Sequence, residues 1–248
     1  MLDFNTRQTK QESVSAAFDD ILFKSLADKR AAQERRKYVG ASGIGDDCER
    51  RIQYEFAGAP REKEPEKLTL RKFDFGHMIE ELARCWFQDA GFKLVQKSQK
   101  TGKPYRFVQM DGDFSGEPDG VFIEGPSIEG LSYPAMWEHK AVGNKTFREI
   151  KKDGLKKARP KYWSQIHTCM AYMELRQTVF TVTNLDSGEQ LNLIIDLDTE
   201  EAQRMTDRAV RVITSTRAGD LLPRPYAKSD YYECKWCPFS ARCWRAYS

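Results

Sequence analysis

The sequence has 248 residues, 40% of them hydrophobic and 31% charged, which suits one folded core and excludes a disordered chain. Its 40 Lys and Arg residues nearly balance 37 Asp and Glu residues, so the chain is no general polycation and a basic binding surface has to be local. No apolar run approaches the roughly 18 residues that span a bilayer, and the start has no signal-peptide core. We therefore expect a cytoplasmic protein without membrane contact.

Residues 1–40 are predicted to form a helical N-terminal segment. Apolar residues recur there at spacings of three and four, which indicates one face of a helix over residues 10–37. The residues of that face are Val14, Phe18, Ile21, Leu22 and Leu26. A turn-rich loop follows at residues 40–47, and Asp46 or Asp47 is expected to cap a short helix that begins near Cys48.

Residues 41–227 are predicted to form the main domain. A charged linker at residues 61–67 precedes a long helix at residues 69–90, which Gly91 ends. The predicted apolar side of this helix carries Phe75, Ile79, Leu82, Ala83 and Trp86.

In the second half of this domain, the spacing of turn-forming residues predicts a sheet followed by further helices. Short segments separated by Gly, Pro, Asp and Ser fill residues 92–142 and predict strands. The later elements are predicted as helices at 144–153 and 160–176, a hairpin across Asp186-Ser187-Gly188 and a helix at 199–218. The order favours an α/β class, with a mixed sheet flanked by helices.

One predicted strand carries the residues with the clearest chemical pattern. Side chains alternate along a strand, so Glu138 and Lys140 are expected on one face and Trp137 and His139 on the other. Asp119 follows a proline and precedes an apolar run, which places it at the start of a neighbouring strand. A carboxylate pair and an amine would then share one site.

Such a site suits metal-dependent hydrolysis. Two carboxylates from adjacent strands can hold a hard cation such as Mg²⁺ or Mn²⁺. The cation would activate a bound water, and Lys140 would orient it or offset charge on a phosphate. The alternative is a solvated strand face, with Asp119 serving only the turn beside Gly120, and taken alone this reading is the more common.

Two predicted helices add polar groups near this strand. Gly76 and Glu80 lie one helical turn apart, so the backbone can approach closely while a carboxylate projects from the next turn. Gln165 and Tyr172 are seven residues apart and are expected on one helical face, within reach of a phosphate or Lys140. Taken singly, the favoured readings are an ordinary surface glutamate beside Glu81 and an ordinary polar residue of a helix.

The order of these residues resembles the PD-(D/E)XK nuclease superfamily, in its RecB-like exonuclease branch. The matching pattern is G-x-x-x-E, then Asp119, then E-x-K, then Gln165, and the resemblance runs from about Cys48 to Cys243. It implies a restriction-endonuclease-like core with Glu80, Asp119 and Glu138 as metal ligands. It also implies catalytic roles for Asp119, Glu138, Lys140 and the assisting Gln165. Many RecB-like members have a histidine where Glu80 stands, and the glutamate looks more like phage-type recombination exonucleases.

The cysteine spacing indicates a second metal centre. Cys234, Cys237 and Cys243 form C-x2-C-x5-C, and Cys48 can add a fourth thiolate if the two ends of the chain meet. This arrangement resembles the iron-sulfur nucleases of the RecB-like group, which include AddB, exonuclease V and the CRISPR-associated spacer-acquisition nucleases. The resemblance implies a 4Fe-4S cluster in residues 228–248, completed by Cys48. A Zn²⁺ site with the same four cysteines is the alternative.

A local run of basic residues is the predicted DNA-binding surface. It contains Lys145, Arg148, Lys151, Lys152, Lys156, Lys157, Arg159 and Lys161. These residues could neutralise backbone phosphates without reading sequence, and Tyr162, Trp163 and Tyr172 could contact unpaired bases. The alternative is a solvated helix face, which is the usual fate of such a run.

The function expected from these features is a metal-dependent DNA exonuclease that acts on DNA ends or single strands. The resemblance implies a role in recombination, repair or end processing in a bacterial or phage-infected cell, with a recombination or annealing protein as a candidate partner. One alternative is a DNA- or protein-binding module that does not cut. A zinc-stapled scaffold without a nucleic-acid role is a weaker one.

Overall fold

The computed structural model describes residues 4–98 and 101–245, with side chains described from residue 12 onward. The first half begins with helix α1 (Phe4–Ala31), strand β1 (Val39–Gly40) and helices α2 (Ala41–Ile44), α3 (Glu49–Phe56) and α4 (Lys67–Asp89). Strands β2 (Lys93–Val95), β3 (Phe107–Gln109), β4 (Phe114–Gly116), β5 (Gly120–Glu124) and β6 (Ala135–Val142) follow, with one 3-10 turn between β3 and β4.

The second half returns to helices around one long hairpin. It contains helices α5 (Asn144–Asp153), α6 (Leu155–Ala158) and α7 (Pro160–Tyr172), strands β7 (Gln177–Asn184) and β8 (Gln190–Asp196), and helices α8 (Thr199–Ala218), α9 (Tyr232–Trp236) and α10 (Ser240–Arg245). The predicted hairpin is confirmed, since β7 and β8 pair antiparallel across the turn.

A five-stranded mixed sheet in the order β2-β5-β6-β7-β8 forms the centre of the fold. Its neighbouring strands are antiparallel except for β6 and β7, which run parallel and are joined by the crossover through α5, α6 and α7. A smaller sheet in the order β1-β4-β3 lies outside it. The expected α/β class is therefore confirmed.

Both faces of the central sheet are covered, and β6 shows how. Met136 belongs to the main core with Phe180 and Ile166, on the side where α7 packs. Trp137 belongs to a second cluster with Ala83 of α4. Because side chains alternate along a strand, Glu138 enters the α7 side of the sheet, where it has no exposed surface.

The two ends of the domain meet around α3. Arg50 donates from Nε to the Leu222 carbonyl at 2.5 Å, and Leu222 N donates to the Gln53 side chain at 3.0 Å. Tyr54 packs with Phe239 and Cys243 in a small separate core. These contacts bring the early cysteine-bearing segment against the C-terminal residues.

Several local predictions were wrong. Helix α1 ends at Ala31 rather than residue 37. On its predicted face Val14, Phe18, Ile21 and Leu22 are exposed and Leu26 is half-buried, while Phe23 is the buried residue. Ala83 of α4 is buried as predicted, but Phe75, Leu82 and Trp86 are between 42% and 54% exposed. Helical periodicity alone does not say which side of a helix finds a partner.

The loop predicted around β1 also differs. Residues 39–40 pair in parallel with β4, so this segment joins the small sheet. Helix α3 begins at Glu49 with Cys48 as its N-cap, and Asp46 does not cap it. The Asp46 carboxylate instead accepts from Cys48 N at 3.0 Å and pairs with Arg51 and Lys161. The helix predicted at residues 160–176 ends at Tyr172.

Candidate active site

Asp119 is held against the middle of β6. Strands β5 and β6 pair with Gly120 opposite Trp137, so the residue before β5 reaches the next positions of β6. There Asp119 Oδ2 accepts a hydrogen bond from His139 N at 2.8 Å. This places Asp119 at the start of the strand beside Glu138 and Lys140, as predicted.

Glu138 is the buried centre of the site. Its Oε1 accepts from Gln165 Nε2 at 2.5 Å and also from Lys140 Nζ. The Glu138 and Lys140 side chains therefore share one face of β6, and Gln165 of α7 reaches the same carboxylate. Oε2 of Glu138 is buried and has no hydrogen-bond partner among the described residues. An orphan carboxylate oxygen of this kind is costly unless a water molecule or an ion meets it.

His139 points to the opposite face, as expected for the residue between them. Its Nε2 lies 2.9 Å from Thr183 Oγ1, and its ring lies beside Trp137. Burial lowers the pKa of His139 from its usual 6.5 to about 4, and Lys140 adds to this effect. The ring is therefore neutral at pH 7.

Glu80 comes from α4, across the site from α7. Its pKa is raised to about 7, chiefly by burial and then by the negative charge of Asp119, while Lys140 opposes the shift. For Glu138 the same causes act in the same order, and its pKa rises to about 8. Three carboxyl groups from α4, β6 and the start of β5 thus lie close together, and the Asp119 charge disfavours the ionisation of Glu80 and Glu138.

Lys140 carries the positive charge of this group. Burial alone would lower its pKa, but Glu138 and Asp119 outweigh burial and raise the pKa above its usual value. The ammonium group also lies 5.4 Å from the centre of the Tyr162 ring. Lys140 therefore stays charged at neutral pH and faces both the carboxylates and an aromatic ring.

A hard divalent cation fits this donor set. The crowded carboxyl groups and the orphan Glu138 oxygen offer negative oxygen ligands, which Mg²⁺ and Mn²⁺ prefer. Within the described ranges, no three His, Cys, Asp or Glu side chains stand in ready-made metal-site geometry. The fit therefore rests on the chemistry of the carboxyl groups.

The four predicted cluster cysteines surround one cavity. Cys48, Cys234, Cys237 and Cys243 all line a space of about 30 Å³ beneath α3 and the C-terminal helices. The pKa of Cys48 is raised to about 11, chiefly by burial, with smaller contributions from Cys237, Cys243 and Cys234. The meeting of one early and three late cysteines is what the sequence led us to expect.

The cavity has cationic and donor groups around it as well. Arg50, Arg51 and Arg224 also line it, and Arg50 Nη1 lies 3.9 Å from Cys243 Sγ. Such groups stabilise thiolates and the net negative charge of a thiolate-ligated metal centre. The other two cysteines differ: Cys169 is buried in the main core, and Cys85 is half-buried on α4.

Much of the predicted basic surface is engaged with acidic residues, two of them within the run and three from other parts of the chain. The pairs are Lys151 with Glu189, Lys156 with Asp198, Lys157 with Asp153, Arg159 with Glu149, and Lys161 with Asp46. Lys145, Arg148 and Lys152 are exposed on α5. Their side chains form no ion pair with another described residue.

The three aromatic candidates are placed differently from one another. Tyr162 faces Lys140, and Trp163 stacks near the His167 ring at a centroid distance of 4.1 Å. Tyr172 does not join Gln165 at the carboxylates. Its ring stacks on Phe107 at 4.7 Å and its hydroxyl lies 3.0 Å from Thr206 Oγ1, because seven residues of helix separate the two side chains by about 10 Å.

A large cleft that the sequence did not predict lies next to this site. It has a volume of about 1110 Å³ and extends along α1, α3 and the segment around Tyr38. His77 and Lys161 line it, and they lie one turn before Glu80 on α4 and Gln165 on α7. Its walls come from distant segments, so the only local sequence signal is the cluster Arg35-Arg36-Lys37.

Solved structures share this arrangement of elements. The alkaline exonuclease LHK-Exo from Laribacter hongkongensis is similar over 75% of this chain and 90% of its own, at 17% identity and a TM-score of 0.53. Its complex with dAMP covers the same shares at 17% identity, with a TM-score of 0.54. The structure of SSO0001 is similar over 90% of this chain and 95% of its own, at 14% identity and a TM-score of 0.51.

The chain has an exonuclease-like α/β fold. No family model matches the sequence, and a comparison with curated proteins finds no match. The similarity to an exonuclease is therefore a similarity of structure at low sequence identity. It agrees with the nuclease-like fold that the sequence predicted. Among the helices that the structure describes, none has the length and apolar character to cross a bilayer.

Proposed function

We propose that this protein is a divalent-metal-dependent DNA exonuclease. The observation that carries the proposal is the convergence of Glu80, Asp119, Glu138 and Lys140 at one point of an exonuclease-like fold. The four residues come from separate segments, so chance neighbours in sequence do not account for their meeting. A solvated strand face, the simpler reading, does not fit a fully buried Glu138.

The chemical roles follow from where each group lies. Glu80, Asp119 and Glu138 would hold the ion, which when bound supplies a water of lowered pKa and a positive charge for the phosphate. Gln165 positions Glu138 by donating to its Oε1. Lys140 donates to the same Glu138 oxygen. Once the ion binds Glu138, the Lys140 ammonium group can orient a nucleophile or meet charge that develops on the phosphate.

DNA is the substrate class that this proposal assigns. Phosphodiester hydrolysis at such a site fits a neighbour that was solved with dAMP, a nucleoside monophosphate. Lys145, Arg148 and Lys152 offer exposed charges to backbone phosphates on the adjoining helix. We propose that the enzyme acts on DNA ends or single strands, in recombination or repair within the cytoplasm. An annealing protein is the partner that we propose.

For the cysteine cavity we propose a 4Fe-4S cluster. Four thiols that stand around a space suit a polynuclear cluster, whose iron atoms lie at its corners. A single Zn²⁺ ion would need all four sulfur atoms within about 2.3 Å of one point. The cluster would tie α3 to the C-terminal helices and so constrain the unfolded chain, as a crosslink over a long loop does.

The test is digestion of end-labelled single- and double-stranded DNA by the full chain with Mg²⁺ or Mn²⁺. We expect stepwise release of nucleotides from an end, and no release in the presence of EDTA. DNA that is bound but left intact with both metals would contradict the proposal and support the non-cleaving binding module. Cutting of closed circular DNA at internal positions would contradict the exonuclease assignment alone.

A further inference from the structure

Helix α4 carries a stripe of large apolar side chains on its outer side. The residues and their exposed fractions are Leu68 60%, Phe75 54%, Met78 67%, Leu82 42% and Trp86 46%. Leu68, Phe75 and Leu82 follow one another at intervals of seven residues, which is the spacing of a helix seam that packs on another helix. The stripe runs along nearly the whole helix.

No other segment that the structure describes covers this stripe. Ala83 of α4 is fully buried in the core beside the central sheet, so the helix meets the sheet on a different side. Helix α1 contacts the first turns of α4, where Asp19 pairs with Arg71 and Phe23 lies against the same arginine. Neither neighbour reaches the outer side on which Phe75 and Met78 lie.

The size of the stripe suits a protein interface. Five large side chains that are about half exposed present on the order of 600 Å² of apolar surface, which is the upper end for one patch on a monomer. A stable interface buries about 800 Å² on each partner, including a polar rim. The stripe with its flanking polar residues reaches that size.

We propose that α4 docks on α4 of a second copy of this chain, antiparallel, around a two-fold axis. A stripe with heptad spacing is self-complementary, so the same residues cover one another in both copies. Lys67 begins the helix and Asp89 ends it, each eleven residues from Met78. The antiparallel arrangement brings these opposite charges together, whereas a parallel one would set like charges side by side. Met78, near the middle of the stripe, lies beside the axis.

Pairing leaves the candidate active sites open. Glu80 is five residues after Phe75 and so projects about 140° around the helix from the stripe. Two packed helices have axes about 8–10 Å apart, so each Glu80 faces its own sheet and away from the partner. The dimer therefore does not depend on catalysis, and the two proposals can fail separately.

Sedimentation equilibrium of the full chain tests this inference. We expect twice the 28.7 kDa chain mass for the unsubstituted protein at micromolar concentration. Met78→Asp should raise the dimer dissociation constant roughly 100-fold, because two carboxylates would meet at the axis. Leu68→Asp should weaken the dimer as well. Val210→Asp on α8 is the matched control and should stay dimeric, since Val210 is a 43% exposed apolar residue elsewhere.

Circular dichroism should show the same helix content for all variants, and digestion of DNA by Met78→Asp should match the unsubstituted chain. A monomer at every concentration, before any substitution, would overturn the inference and leave the stripe to a different protein. A dimer that persists in both Met78→Asp and Leu68→Asp would also overturn it, because another surface would then hold the copies together.

Discussion

Gln165 Nε2 donates to Glu138 Oε1 at 2.5 Å, and this contact ties helix α7 to the central strand of the sheet. The same oxygen accepts from Lys140, so two donors hold one side of a carboxylate whose other oxygen has no hydrogen-bond partner in the part of the chain that the structure describes. The arrangement leaves the second Glu138 oxygen available to an ion that enters the site. It is the feature from which the catalytic predictions follow.

Replacing Lys140 should slow catalysis strongly without unfolding the protein. We expect Lys140→Ala to lower the rate of DNA digestion roughly 10²–10³-fold, because the charge that meets the nucleophile or the phosphate is lost. Single-turnover digestion of end-labelled DNA measures the effect. Lys152→Ala, at an exposed lysine on α5 that we propose to meet backbone phosphates, is the comparison; it should weaken DNA binding but keep the rate at saturating enzyme within a few-fold of the unsubstituted rate. Equal losses in both variants would point to DNA binding instead.

Gln165 acts through Glu138, and its effect should be smaller. Gln165→Met keeps the side-chain volume and removes the donor, so we expect about 10–100-fold weaker binding of Mn²⁺ and slower digestion. A packing defect by itself would not change the affinity for Mn²⁺, so this affinity is the deciding measurement. Gln203→Met, an exposed substitution on α8, should change neither quantity. Unchanged Mn²⁺ affinity in Gln165→Met would show that the contact does not position the carboxylate.

The cysteine cavity predicts both a colour and a stability effect. Anaerobically purified protein should absorb visible light near about 400 nm if the four thiols hold an iron-sulfur cluster. Cys234→Ala should lose this absorbance and unfold at a lower denaturant concentration. Its free energy of unfolding should fall by roughly 2–5 kcal/mol, as for the loss of a crosslink. Cys85→Ala, half-buried on α4, should keep the colour. Bound zinc without visible absorbance would contradict the cluster and favour the zinc alternative.

The buried histidine of α7 makes stability depend on pH. His167 has no exposed surface, and its Nδ1 accepts from Asp198 N at 2.9 Å. Burial lowers its pKa from the usual 6.5 to about 4, although Asp198 and Glu201 oppose the shift. Between these values the unfolded chain binds a proton that the folded chain does not, so acidification destabilises the fold by up to about 1.4 kcal/mol per pH unit.

Urea unfolding between pH 7 and pH 4 measures this contribution, with values compared at each pH. His167→Gln does not titrate, so its stability should fall less steeply below pH 6.5 than that of the unsubstituted chain. His77→Gln, an exposed substitution on α4, should show the unsubstituted slope. Identical slopes for all three proteins would mean that His167 does not govern the response.

The pattern along a strand was enough to predict the local geometry of the site. Alternation alone placed Glu138 and Lys140 on one face of β6 and His139 on the other, and the structure agrees. Glu80 and Gln165 lie on helices far away in sequence, and no local pattern connects them to β6. Their order along the chain predicted them only through its resemblance to a known superfamily.

The sequence did not predict the partners that each surface finds. The lysines of α5 and α6 form a clear basic run, but Glu189 and Asp198, which pair with Lys151 and Lys156, come from the far side of the crossover. The apolar side of α4 reads as a core face, yet Phe75 and Trp86 are exposed because the sheet covers another side. Both errors arise because pairing depends on tertiary contacts.

Mn²⁺ binding by the full chain tests the central claim most directly, because it asks whether the carboxyl groups hold an ion at all. Titration calorimetry should show binding in the unsubstituted protein and at least roughly 10-fold weaker binding in Asp119→Asn, which keeps an acceptor for His139 N but loses the charge. Asp207→Asn, on the exposed side of α8, should bind as the unsubstituted chain does. Equal Mn²⁺ affinity in Asp119→Asn and the unsubstituted protein would contradict the account.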